Sequence, residues 1–184
     1  MTILTVLDAS ALRALMKGFA DALVAHREAL NLLNVYPVPD GDTGTNMSMT
    51  AKSVVEALEN LAETASLEEV TATIAHGSLM GARGNSGVIL SQILRALSAD
   101  IGSAGQLDAQ VLAQGLVSAS TAAYGAVGTP VEGTILTVVR EASEAAAEVS
   151  KESLLTVAEA ALAQGQDALA RTPEMLPVLA EAGV

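Results

Sequence analysis

Apolar residues recur every three or four positions along most of this chain, and that spacing limits the fold more than any other feature. Between residues 9 and 34 the series is Leu12, Leu15, Phe19, Leu23, His26, Leu30 and Leu33, counting His26 as half apolar. Steps of this kind mark one face of a helix. The same spacing predicts a helix over 45–61, with Ala51, Val54, Val55, Leu58 and Leu61 inward. Further helices are expected over 67–80, from Val88 onward, and over 107–123, 134–149 and 153–171. Ser153 is read as an N-cap, Thr134 or Thr137 as lying near a helix start, and Pro173 as opening a short last helix. The expectation is eight helices, short connections and no strand: an all-α antiparallel barrel or bundle.

Composition supports this. Half the residues are apolar, yet there is one Phe, two Tyr and no Trp. A core of Ala, Leu and Val suits closely packed helices, whereas a β-sandwich uses more aromatic and β-branched residues. No cysteine is present, which excludes disulfides and thiolate metal sites. The net charge of −12 makes nucleic acid and anionic membrane poor partners for the bulk surface. An anionic nucleotide can still bind where metal ions and a few basic groups cancel charge locally. There is no signal-peptide layout and no run of about 18 apolar residues, so a cytoplasmic location without a membrane span is expected. Nothing at Glu181–Val184 marks a natural terminus, and the chain is expected to be a piece of a longer protein.

Against this helical background, Pro37-Val38-Pro39-Asp40-Gly41-Asp42-Thr43-Gly44-Thr45-Asn46 stands out. Two prolines and two glycines keep the backbone non-helical, and two aspartates sit two positions apart. Carboxylates held that close repel unless a cation lies between them. Hard oxygen ligands in this number suit Mg²⁺, which leaves other positions to water and substrate phosphates. An ordinary Asp-Gly turn with a capping aspartate accounts for one of the pair more readily than for both. An EF-hand is rejected, because its fifth, sixth and twelfth positions counted from Asp40 hold Gly44, Thr45 and Ala51. Thr43–Asn46 leads into a helix start, where free N–H groups suit a phosphate.

A second loop is expected at Gly81-Ala82-Arg83-Gly84-Asn85-Ser86-Gly87, again before a helix. It is not a Walker A loop, lacking the Gly-Lys-Ser/Thr ending. Its N–H groups could wrap a phosphate, or it could be a tight interhelical turn. Arg83 is open between phosphate neutralisation and a surface ion pair. His26 is expected at a core edge, and His76 near this loop is open. A third turn, Val131-Glu132-Gly133-Thr134, opens another helix. Three such helix starts beside an acidic loop suggest a nucleotide site, since phosphoryl transfer needs mainly positioning and charge neutralisation.

These motifs carry a resemblance. Asn34–Met47, Gly77–Ile89 and Pro130–Leu136 resemble, in order, the N-terminal nucleotide-binding domain of bacterial fatty acid kinase. That domain is similar in turn to the ADP-binding subunit of dihydroxyacetone kinase. The resemblance covers nearly the whole of 1–184 and implies one kinase domain of a longer multidomain chain, an eight-helix barrel with ATP or ADP and two Mg²⁺ at one end. It implies Asn34, Asp40 and Asp42 as metal ligands, the two aspartates being the catalytic pair. Thr43, Gly44, Thr45 and Asn46, with Gly84, Asn85, Ser86 and Gly87, match phosphate-contacting positions; Thr134 and Ile135 match positions near the base. It further implies transfer of the γ-phosphoryl to a fatty acid carboxylate delivered by a separate fatty-acid-binding protein. Two rivals remain: a subunit that phosphorylates a small hydroxyketone, against which Thr43 and the Pro-Val-Pro stretch argue, and a non-catalytic nucleotide-binding helical module. A homodimer stays open, since an apolar stripe can face a core or a second subunit.

Overall fold

A computed structural model describes residues 5–184. Among these the elements are all helices: α1 (Ala9–Ala25), α2 (Arg27–Leu32), α3 (Thr43–Glu59), α4 (Leu67–Gly81), α5 (Gly84–Ala104), α6 (Ala109–Gly125), α7 (Ile135–Glu148), α8 (Leu154–Met175) and α9 (Pro177–Ala182). From α3 to α8 each helix packs against the next across a short connection, so their directions alternate. α3, α5 and α7 therefore start at one end of the assembly. The row is open: α7, α8 and α9 touch none of α1–α5.

Caps fix most boundaries. Asp8, Asp108, Thr134 and Ser153 each accept a backbone N–H from the first turn they precede. Ser66 and Glu69 form a reciprocal capping box on α4. One core joins α1, α3, α4 and α5 through Leu12, Met16, Leu23, Val54, Leu58, Val70, Ile74, Leu90 and Leu94; a smaller one joins α6, α7 and α8 around Ala113, Ala146 and Val157. The Arg13 guanidinium crosses from α1 to donate to the Leu58 and Ala62 carbonyls, both at 2.7 Å, where α3 ends. A cation there complements the negative end of the helix.

Four sequence expectations are corrected. The helix expected over 9–34 breaks at His26, whose ψ of 6° ends α1 and turns α2 against α3; this makes nine helices among the described residues rather than eight. The buried face of α1 is Leu12, Met16, Ala20 and Leu23, while Leu15, His26 and Leu33 are exposed. The second break is only Ala82–Arg83, so Gly84–Gly87 is the first turn of α5 and not a loop. Pro173 lies inside α8, and Pro177 opens the last helix. Pro173 has no N–H for the Leu169 carbonyl, but the Thr172 hydroxyl donates to that oxygen at 2.8 Å. The freed acceptor is thus satisfied locally and the helix continues.

Candidate functional site

The Pro-rich segment ends at Asp42, the N-cap residue of α3. Its side chain makes no capping hydrogen bond. The capping role falls instead to Asn31 of α2, whose Oδ1 accepts from Thr45 N–H at 3.0 Å while its Nδ2 donates to Thr45 Oγ1 at 3.1 Å. Gly44 makes this approach possible, because a Cβ there would overlap the Arg27 carbonyl. The break at His26 and the absence of a side chain at Gly44 therefore let α2 cap α3 from outside, and the Asp42 carboxylate stays uncommitted. Asn34 Nδ2 donates to Asp40 Oδ1 at 2.8 Å, so these two expected ligands meet. Asp40 is exposed, and Asp42 and Asn34 are half-buried.

The first turns of α3 and α5 are in contact. Gly84, at φ +57°, lies so near Asn46 that a Cβ would strike its side-chain amide. Ser86 Oγ sits 3.5 Å from the Thr43 carbonyl oxygen. Beneath them Thr50, fully buried, places its hydroxyl 2.8 Å from the Asn46 carbonyl oxygen and 3.2 Å from that of Gly81. A Cβ on Gly87 would fall 2.6 Å from the same hydroxyl. One Thr thus ties α3, the end of α4 and the start of α5 together. Thr43–Asn46 and Gly84–Gly87 form a single surface. The structure does not bring Thr134 and Ile135 into it: Thr134 caps α7 and Ile135 is its first residue, at the same end but without contact between α7 and α3 or α5.

Arg83 makes no ion pair among the described residues and donates to the Met80 and Ala82 carbonyls. His76 is exposed on α4, outside the 82–83 break. A shallow hollow of about 280 Å³ between the start of α4 and the end of α5 (Glu68, Thr71, Arg95, Ser98, Gly102) lies at the opposite end, so the candidate site is an open surface and not that hollow. Asn31 and Thr50 were not singled out from the sequence. Their roles depend on partners 14 and 31 residues away, which no local pattern shows.

The chemistry of the donor set fits a hard divalent cation: the Asp40 carboxylate, the Asp42 carboxylate, which has no hydrogen-bond partner among the described residues, and the Asn34 side-chain amide, whose Nδ2 faces Asp40. No group of three or more His, Cys, Asp or Glu suited to a metal occurs among the described residues, and Mg²⁺ needs only one or two carboxylates. Chemically, two helix starts in contact, with the Asp42 carboxylate at the head of one of them, can hold a metal-bound polyphosphate. No helix among the described residues is long and apolar enough to cross a membrane.

Comparison with known proteins supports the domain family to which the motifs point. Residues 37–184 match the model of the DAK2 domain. An uncharacterized protein of Staphylococcus haemolyticus is 44% identical over 177 residues, covering 91% of this chain and 32% of its own length. One from Staphylococcus saprophyticus is 44% identical over 167 residues (90% and 30%), and one from Staphylococcus aureus 42% over 177 residues (91% and 32%). The chain spans about a third of the length of these relatives. With the match running from the acidic loop through all three helix starts, the chain belongs to the DAK2 domain family, a kinase-related family of phosphotransfer modules.

Proposed function

We propose that this chain is the Mg-dependent ATP-binding domain of a kinase that transfers the γ-phosphoryl of ATP to a fatty acid carboxylate. The fatty acid would be presented by a separate fatty-acid-binding protein, and the product is an acyl phosphate. The observation that carries the reading is the Asp42 carboxylate, left free at the head of α3 because Asn31 supplies the cap. Asp40, Asp42 and the Asn34 amide oxygen would hold Mg²⁺. The bound cation would supply charge neutralisation across the β- and γ-phosphates. The first turns of α3 and α5 offer N–H groups, with the Thr43, Thr45 and Ser86 hydroxyls and the Asn46 amide, to the phosphate oxygens. Thr134 and Ile135 would lie toward the nucleoside. No protein base is needed at the acceptor, because a carboxylate is already ionised at neutral pH.

Calorimetric titration with an ATP analogue, with and without magnesium, tests this. Asp42→Ala and Asp40→Ala are expected to abolish magnesium-dependent binding without lowering the melting temperature appreciably, since neither carboxylate holds the fold together. Unchanged MgATP affinity in both variants would refute the metal assignment. Supplying the longer enzyme with a loaded fatty acid carrier or with a small hydroxyketone separates the acceptor assignments.

A further inference from the structure

α8 is the last long helix of the row. It packs on α6, α7 and α9 and touches none of α1–α5. Its buried positions are Leu154, Val157, Ala168 and Thr172. On its solvent side Leu155, Leu162 and Leu169 are 63%, 62% and 61% exposed. Single exposed leucines are ordinary, but these three are ordered. They recur every seven residues, and a straight helix drifts only about 20° per seven, so they form one seam. At a rise of 1.5 Å per residue the seam is about 21 Å long. Exposed Ala158, Ala163 and Ala170 flank it, and Glu159 is the one charge close to it.

The seam is complementary to itself. It is symmetric about Leu162, with a leucine seven residues to either side. A twofold axis at Leu162 therefore sets Leu155 of one chain against Leu169 of a second copy, in the antiparallel sense, and Leu162 against its own counterpart. Charges match in the same register. Lys151 lies eleven residues before Leu162 and Glu174 twelve after it, so across the axis they meet to within about one residue of rise, roughly 1.5 Å. Both are exposed, and neither joins an ion pair among the described residues. A parallel pair would instead set Lys151 on Lys151 and Glu174 on Glu174. Arg171, the other cation of this helix, is already held by Glu141 and Asp167. A net charge of −12 repels a second copy from most of the surface; a seam with one carboxylate beside it and opposite charges at its two ends escapes that repulsion.

We propose that the Leu155–Leu162–Leu169 face of α8 is an interface between two copies of this chain, paired antiparallel about a twofold axis at Leu162. The inference is independent of the nucleotide reading, since α8 touches neither α3 nor α5. A helix pair of this length is at the small end for a stable interface, so the dimer forms reversibly with concentration.

Sedimentation of the 184-residue chain over a concentration series tests this, the expected mass rising from 18.6 kDa toward twice that value. Leu162→Glu, at an exposed position, is expected to weaken association about a hundredfold by removing two leucines from the centre and facing two carboxylates, with an unchanged melt of the dilute monomer. Lys151→Glu and Glu174→Lys should each weaken it, and the double exchange should restore it. The chain has no cysteine, so introduced cysteines report the register. Leu162→Cys should form an intermolecular disulfide under mild oxidation. Leu155→Cys alone should not, because its counterpart lies about 21 Å away along the axis, whereas a mixture of Leu155→Cys and Leu169→Cys should cross-link. A chain that stays monomeric throughout the series would overturn the proposal. So would a dimer that survives Leu162→Glu, or one in which Leu155→Cys cross-links with itself.

Discussion

Gly84→Ala separates strain from function at the junction of α3 and α5. Two penalties act at once. A left-handed φ of +57° costs an L-residue about 1–2 kcal/mol, offset in part by the roughly 0.4–1 kcal/mol that alanine gains by restricting the unfolded chain. The new Cβ also collides with the Asn46 side-chain amide, the end of a side chain that can rotate away. The collision is therefore relieved by displacing Asn46, not by moving backbone. The net loss of stability should be about 1 kcal/mol, or about 2–4 °C in a domain of this size. MgATP affinity should fall much further. Losing one hydrogen bond to a charged oxygen, about 1.5–3 kcal/mol, corresponds to roughly 10- to 100-fold. Gly105→Ala is the control, because Gly105 has φ +68° at the far end of α5 with nothing within 4 Å of the added Cβ. It should show the same melting shift with unchanged binding. Calorimetry and thermal melts on both variants decide the matter. Equal affinity in Gly84→Ala and wild type, or an equal loss in Gly105→Ala, would refute the reasoning.

Gly44→Ala should be far worse for folding, because the obstacle is the Arg27 backbone; a loss above about 3 kcal/mol in urea unfolding is expected, and a mild effect would show that α2 is not held against α3. Arg13→Ala should cost about 2 kcal/mol by leaving the Leu58 and Ala62 carbonyls without their charged donor, with MgATP binding by the residual folded protein unaltered. Glu132 accepts from the Thr137 hydroxyl, which above all holds its folded pKa below the usual 4.5, so its contribution is present above pH 4.5 and disappears as pH falls through the lower folded value. The wild-type melting temperature should drop in that acid window, and Glu132→Gln should flatten the drop there.

Helix existence was legible in the sequence wherever the apolar period was strong, as over α3, α4 and α6. Ser153 was legible as a cap because the signal is local. The break at His26 was not, since no proline or glycine marks it; what turns the chain there is the fit of α2 against Gly44, 18 positions from His26. Pro173 misled for a similar reason, as a neighbouring Thr repairs the bond that proline removes. The acidic loop and both glycine-containing helix starts were legible as types of residue. The contacts that join the starts of α3 and α5 into one surface were not, because Thr50, Asn31 and the Asn46–Gly84 approach act across helices.

Because α7, α8 and α9 touch none of α1–α5, α6 is the one helix among the described residues that packs against both sides of the row. Its buried positions are small: Ala113, Ala119, Ala123 and Gly115, the last with only 3.0 Å between a would-be Cβ and Leu97. The girth of this one rod sets how far apart the heads of α5 and α7 stand. Residues with no access to any ligand would thereby gauge the length of molecule that fits between those heads, and thickening α6 by a single methyl would widen the gap.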